Sequence, residues 1–348
     1  MPGFRLLLLW VSLSLSALAA CTRPAPVPAR TELAFYHWQT TLDLNATEQA
    51  WLDTLAVRRL YVKFFDVDWD DSRRQPTPQA VLQRGVTPPG ADIVPTIFLT
   101  NRTFQQLPAA EIPQLASRIA TKIAELWPGL QPTEIQLDCD WTATTRAAYF
   151  SFLQQLRTVL PAATRLSATI RLHQYRYPHQ TGVPPVDRGM LMCYNMGDLA
   201  DPAETNSILN LARTRPYLAT TTTYPLPLDL ALPLFRWGVL FREGSMIKLI
   251  NGLTATDLPP PAFAPCTDTT TTCFRARTPT YLQGYYLYQG DEIRLEAVPP
   301  ATLHAAAQLL RQVPPGGRRY LSFYHLDSAM LAPFTYPDVA TCLKLLEP

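Results

Sequence analysis

The strongest constraint on the fold is an alternation of strand-like and helix-like hydrophobic patterns, centred on Glu134 to Thr142. Read with a period of two, Ile135, Leu137, Cys139 and Trp141 share one face, while Gln136, Asp138, Asp140 and Thr142 share the other. A lone strand with one wet face would give the same pattern. Here, however, the stretch lies between two helix patterns, Glu111 to Trp127 and Thr144 to Leu160. A strand flanked this way belongs to a parallel sheet covered by helices. In a closed barrel the apolar face meets the helices and the polar face points into the sheet. Two carboxylates two residues apart at the C-terminal end of such a strand stand at the rim where barrels carry their chemistry. The competing structural reading is a hydrogen-bonded Asp pair with no chemical role.

The alternation yields eight candidate strands: Leu33 to Trp38, Arg59 to Trp69, Asp92 to Thr100, Glu134 to Thr142, Arg165 to His173, Gly189 to Met196, Asp229 to Trp237 and Tyr320 to Asp327. Besides the two helices already named, helices are expected at Thr47 to Ala56, which opens on a capping signal, at Ala203 to Arg213 and at Ala301 to Val313. This pattern fits an α/β fold, a (β/α)8 barrel in which the last strand lies beside the first. A doubly wound open sheet is the alternative, but no Gly-rich phosphate loop follows the first strand. Arg242 to Leu295, rich in Thr and Tyr, is expected to form a β-hairpin insertion beside the seventh strand. At 348 residues and 47% hydrophobic content, the chain has the apolar mass for one such domain. Much of the proline falls between elements, where it stiffens connections.

The N-terminal stretch reads differently. Arg5 is followed by the apolar run Leu6 to Val11 and then small residues, the layout of a secretory signal and too short for a membrane span. Its end, Leu18-Ala19-Ala20-Cys21, resembles a bacterial lipobox. That resemblance implies cleavage before Cys21 and a lipid anchor on its thiol. Thr22, rather than Asp, in the next position implies the outer membrane in a Gram-negative cell. Thr22 to Arg30, with its prolines, reads as a tether. The expected organisation is a signal peptide over residues 1–20, a lipidated Cys and tether over 21–31, and a single barrel over 32–348, monomeric in the cell envelope.

In that oxidising compartment Cys266 and Cys273, which bracket a polar loop, are candidates for a local disulfide. Cys139 and Cys193 sit in apolar strand patterns and read as buried thiols, with Cys342 left over. No Cys/His spacing suggests a zinc site, and no cofactor is expected. A net charge of +2 without a basic, aromatic-rich run argues against nucleic acid as a partner.

Asp138-Cys139-Asp140-Trp141 resembles the end of the D-x-x-D-x-D-W-E signature of the chitinase-like glycoside hydrolases, family eighteen. Met192-Cys193-Tyr194-Asn195 is similar to that family's M-x-Y-D on the sixth strand. The resemblance implies a glycosidase-like barrel that takes a carbohydrate, and the wider pattern looks like a group of bacterial lipoproteins with such barrels. The departures bear on the chemistry. Thr142 stands in the position of the family's catalytic Glu, Asn195 in that of the Asp after the Tyr, and Ile135 in that of the first Asp. A Thr hydroxyl cannot protonate a leaving glycosidic oxygen at neutral pH, so the family mechanism does not transfer unchanged.

Other carboxylates can serve instead. Asp138 and Asp140 are about 6.6 Å apart at Cα for a rise of ~3.3 Å per residue, compatible with paired carboxyl groups across a glycosidic bond. The expectation is that Asp138 stays ionised beside Lys63 or Arg171, while Asp140, nearer the rim, has the raised pKa and acts as the acid. Strand ends add candidate glycan ligands: Lys63, Asp66 and Asp68 on the second strand, and Arg171 and His173 on the fifth. Tyr194 and Asn195 follow on the sixth, and His325 and Asp327 on the eighth. Simple alternation puts Lys63 and Asp66 on opposite faces unless a bulge intervenes. Lys63 and Arg171 lie in apolar patterns, where an unpaired charge is costly, so each is expected to pair with Asp66, Asp138 or Asp140. Asp66, Asp68, Asp138 and Asp140 would hold a hard cation only if they converge. Trp38 and Trp237 are the expected platforms for a sugar ring, with Trp141 facing the helices. Two other readings remain: a barrel that kept a glycan cleft without catalysis, and an envelope scaffold with no glycan site.

Overall fold

The computed structural model describes residues 30–347 apart from residues 87, 89, 220–222 and 268–271. The expected signal peptide, Cys21 and nearly all of the tether lie outside the described residues.

Eight parallel strands close into a barrel: β1 (Thr31–His37), β2 (Arg59–Asp70), β3 (Asp92–Leu99), β4 (Glu134–Asp138), β5 (Arg165–Arg171), β6 (Arg188–Met192), β7 (Leu228–Pro233) and β8 (Arg319–Tyr324). Each pairs with its neighbours in sequence, and β8 closes onto β1 with Leu33 beside Leu321. The main crossover helices are α1 (Ala46–Thr54), α2 (Ile112–Leu126), α3 (Arg146–Val159), α4 (Leu211–Leu218), α5 (Pro300–Leu310) and α6 (Tyr336–Leu346). α1 opens on the expected signal. The Asn45 side chain accepts from the Thr47 and Glu48 N–H groups, and Glu48 accepts from the Asn45 N–H. The helix expected at Ala203 to Arg213 starts only at Leu211. Glu204 accepts from the Asp198 and Thr205 N–H groups and holds that segment as a loop, so the helix is capped by Asn210 instead.

Outward strand residues such as Ile135, Leu137 and Ile170 are buried against the helices. Inward residues stack in layers. In the lowest layer Arg59 lies 2.8 Å from Glu134 and 2.6 Å from Asp92, and Arg188 lies 2.7 Å from Asp229. Above them Tyr36 stacks on Tyr61 at 4.9 Å and donates to Gln136 Oε1 at 2.5 Å. The layer above that forms the barrel mouth.

β2 carries the local feature that shapes the mouth. Its register against β3 shifts between Lys63 and Phe65. The extra residue sends both Phe64 and Phe65 into the outer core and leaves both Lys63 and Asp66 inside. The Phe64 carbonyl accepts instead from the Leu82 N–H at 2.7 Å. Leu82 lies in the β2–β3 connection, which folds back as an antiparallel strand, Gln75–Gln79, rather than a helix.

The segment after β7 departs from expectation. It is not a single hairpin but a five-stranded antiparallel sheet, running from Trp237–Arg242 to Glu292–Glu296. This sheet has its own apolar centre of Leu240, Ile250, Phe263 and Ile293. Cys266 and Cys273 are joined in a disulfide beside it, and Cys139, Cys193 and Cys342 are buried free thiols. Among the described residues no helix is long and apolar enough to cross a membrane.

Arg59 neutralises Glu134, whose side chain is fully buried. Replacing Arg59 by Ala leaves that carboxylate with only the half-exposed Arg165 guanidinium at 3.8 Å and is expected to cost about 3 kcal/mol of stability, measured as a lowered urea midpoint. An unchanged midpoint would show that the lowest layer does not depend on this pair.

Candidate active site

Above the stacked tyrosines the barrel opens into a cavity of about 880 Å³ at the C-terminal ends of the strands. Its walls include Trp38 after β1, Asp66 of β2, Phe98 of β3, Asp138 of β4, Arg171 of β5, Tyr194 after β6 and Tyr324 of β8. The carboxylate pattern that singled out the fourth strand therefore does face a cavity at the catalytic end of a barrel.

Asp138 is the last residue of β4 and opens partly onto this cavity. Burial pushes its carboxyl up to about 7. The Thr169 hydroxyl donates to its Oδ1 at 2.7 Å and opposes the shift, Asp140 and Asp66 add to it, and Arg171 opposes it weakly. Asp140 lies beyond the strand end, where its exposed carboxylate sits 3.2 Å from Arg171 Nε. That pair is 55% and 43% exposed, so solvent screens it. Of the two expected cations, Arg171 makes its ion pair with Asp140 rather than Asp138, so burial prevails at Asp138 and favours its protonated form near neutral pH.

Lys63 pairs with Asp66 at 3.3 Å, and its ammonium lies 5.7 Å from the centre of the Trp38 ring. Asp66 is half-buried, and burial raises its pKa against the opposing pull of Lys63. Its Oδ1 is enclosed and has no hydrogen-bond partner among the described residues. Around these carboxyls stand aromatic rings. Trp38 packs at 5.5 Å from Tyr324, which lies 5.7 Å from Tyr194. Burial drives the Tyr194 and Tyr324 hydroxyls well above their ordinary range, so they remain protonated.

The other sequence candidates divide. His173 lines the cavity, but from the short helix Leu172–Arg176 rather than from β5, which ends at Arg171. Asn195 lines it in a left-handed backbone conformation, φ 56°. His325 and Asp327 also line it. Burial lowers the His325 pKa, and Asp327 accepts from Gln39 at 2.6 Å and caps the helix Ser328–Leu331. Asp68 is not brought in; it is tied outside the cavity to Arg102 at 2.6 Å and to Thr100. The four aspartates therefore do not converge on a cation site. Trp237 lines the cavity from the inserted sheet, is 7% exposed, and donates its indole N–H to Glu296 at 2.9 Å. Trp141 is core, as expected. Thr142 lies off the cavity in the turn before α3, bonded to Thr144 and Thr145. Sequence reasoning missed Phe98, Thr169 and Tyr324 as site residues, although strand parity places all three inward. Arg236 and Asn251 reach the cavity through the insertion, for which parity gives no signal.

No protein-family model matches the chain, and no curated protein is significantly similar to it. Solved structures are similar in fold. A chitinase from Chromobacterium violaceum matches with a TM-score of 0.51 at 13% identity, covering 90% of this chain and 99% of that one. Catalytic domain 2 of the Ostrinia furnacalis Group II chitinase, a mutant in complex with penta-N-acetylchitooctaose, matches with a TM-score of 0.50 at 12% identity, covering 91% and 96%. The Bacillus cereus spore cortex-lytic enzyme SleL has a TM-score of 0.49 at 15% identity, covering 88% and 74%. At these identities the likeness to the two chitinases establishes the fold, a chitinase-like (β/α)8 barrel, and leaves the chemistry to the residues of this cavity.

The Asp138 shift has a stability consequence of definite sign. A carboxyl raised from 3.8 to about 7 in the folded chain favours the protonated fold, so stability is lost as pH rises through that window and then levels off. Asp138→Asn removes the loss and still accepts from Thr169. The variant is expected to exceed the wild type by on the order of 1–3 kcal/mol at pH 8 and to match it near pH 4. Thermal melts of both proteins across that range check this, and a variant less stable at pH 8 would overturn it.

Proposed function

We propose that this chain is a carbohydrate-binding barrel of the bacterial cell envelope, holding a glycan in the cavity at the strand ends. The observation that carries the reading is the composition of that cavity. Trp38, Tyr194 and Tyr324 offer ring faces and protonated hydroxyls, beside the carboxyls of Asp66, Asp138 and Asp140. Sugar rings need this combination, since their C–H faces pack on aromatic rings while their hydroxyls bond to carboxylates. The fold shared with a chitinase crystallised with an N-acetylglucosamine oligomer supports the same ligand class. Thr142 removes the acid that the family signature would supply, so cleavage has to be carried by other carboxyl groups of the cavity.

The test is calorimetric titration with the N-acetylglucosamine pentamer and with chitin and peptidoglycan fragments. Binding of at least one is expected, and Trp38→Ala should weaken it about tenfold, the loss of roughly 1.4 kcal/mol. Failure of every glycan to bind would sink the reading.

The envelope location rests on Leu18-Ala19-Ala20-Cys21, with Cys21 as the lipidated residue and the outer membrane as its site in a Gram-negative cell. Replacing Cys21 by Ala should abolish incorporation of labelled fatty acid and move the protein from the membrane to the soluble fraction. Unchanged labelling and fractionation would refute the anchor.

A further inference from the structure

We propose that Asp138 and Asp66, placed on either side of Phe98, form an acid–base pair that hydrolyses a glycosidic bond without the Glu that Thr142 replaces. The inference rests on the glycan-binding reading and adds a reaction to it. In the sheet register Asp66 stands beside Phe98, and Phe98 beside Asp138, so three cavity-lining side chains form one row. Neighbouring strands are about 4.8 Å apart, which separates the two aspartate Cα atoms by on the order of 9–10 Å. Carboxyl groups directed into one cavity from that spacing fall near the roughly 6.5–9.5 Å that an acid and a base need when a water stands between the base and the sugar. Asp140 is the poorer partner, since it lies on the same strand as Asp138, is exposed, and is paired with Arg171.

The surroundings assign the roles. Asp138 accepts from Thr169, has no cation of its own, and carries its proton near neutral pH, as an acid requires. Asp66 is a quarter exposed and lines the cavity, with Oδ2 at 3.3 Å from the Lys63 ammonium and Oδ1 enclosed; burial raises its pKa, and Lys63 opposes that shift and favours the charged form a base requires. The β2 bulge brings Lys63 and Asp66 to the same side, so the base and its counter-charge arise from one local irregularity. In the reaction, Asp138 gives its proton to the glycosidic oxygen as the bond from that oxygen to the anomeric carbon breaks. Asp66 takes a proton from a water molecule whose oxygen attacks the same carbon from the opposite face. The products are an alcohol and a hemiacetal of inverted configuration, and proton exchange with solvent restores both aspartates. The protonation of Asp138 is set by burial, the Thr169 hydroxyl, Asp140, Asp66 and Arg171, and that of Asp66 by burial and Lys63.

The experiment uses the N-acetylglucosamine pentamer and peptidoglycan strand fragments, first as ligands and then as substrates, with product anomers followed by NMR. Wild type is expected to cleave at least one with inversion. Asp66→Asn and Asp138→Asn should each lower turnover by about 100-fold or more, while circular dichroism shows that both variants keep the wild-type fold. Azide should restore turnover to Asp66→Ala and give a glycosyl azide of inverted configuration, which a merely structural role would not produce. Lys63→Met should move the acidic limb of the pH–rate profile to higher pH, because Asp66 then holds its proton longer. Binding without cleavage of any substrate, a retained anomer, or full turnover by Asp66→Asn would overturn the pair. Absence of all binding by the wild type would overturn the glycan-binding reading along with it.

Discussion

A parallel barrel has no solvent-facing side in its interior, so a polar group that points inward must find a partner on a neighbouring strand or accept a shifted titration. This constraint governs the molecule from bottom to top. In the lowest layer it is met by ion pairs, with Arg59 serving both Glu134 and Asp92, and Arg188 serving Asp229. In the middle it is met by neutral hydrogen bonds, Tyr36 to Gln136 and Gln136 to Ser167. At the mouth it is met only in part. Asp138 has a hydroxyl as its hydrogen-bond donor, and Asp66 has a cation on one oxygen and no partner for the other among the described residues. The lower layers also leave single atoms without a partner among the described residues, such as Glu134 Oε1 and the Tyr61 hydroxyl, but at the mouth the under-satisfied groups border a cavity, where reactive groups are held.

The fold was legible because closed barrels impose two different periods on one chain. Outward strand residues must be apolar to meet helices, and this alternation located all eight strands to within a few residues at most ends. The errors came where a local interaction overrides the period. β4 stops at Asp138 and β5 at Arg171, because the chain turns at once into the Thr142 turn and the helix Leu172–Arg176. β7 ends at Pro233, so Trp237 starts a new sheet and its indole N–H is used by Glu296. The insertion was visible as a long Thr- and Tyr-rich segment, but its five-strand pairing depends on contacts far apart in sequence.

The site was legible in its residues more than in its electrostatics. Strand parity brought Asp138, Tyr194 and Arg171 to the cavity, yet it could not show which carboxylate Arg171 would reach. That choice follows from where β4 ends: once the chain leaves the sheet, Asp140 is carried outward to the guanidinium and Asp138 remains inside without it. The β2 bulge did leave a trace in the sequence. Phe64 and Phe65 are adjacent, and two consecutive large aromatics cannot both face helices in a regular strand. One residue must be absorbed by a bulge, which inverts the parity of everything after it.

That inversion is what makes the mouth of this barrel different from one with a single acid on the fourth strand. Without the extra residue, Asp66 would face the helices, where an ionised carboxylate is costly, and Lys63 would be left inside alone. With it, the two arrive together as a half-buried pair, and the aspartate stands in the same row as Asp138 with Phe98 between them. In that row the Lys63 ammonium offsets the charge of Asp66, while Asp138, with the Thr169 hydroxyl as its hydrogen-bond donor, is raised to about 7 by its burial.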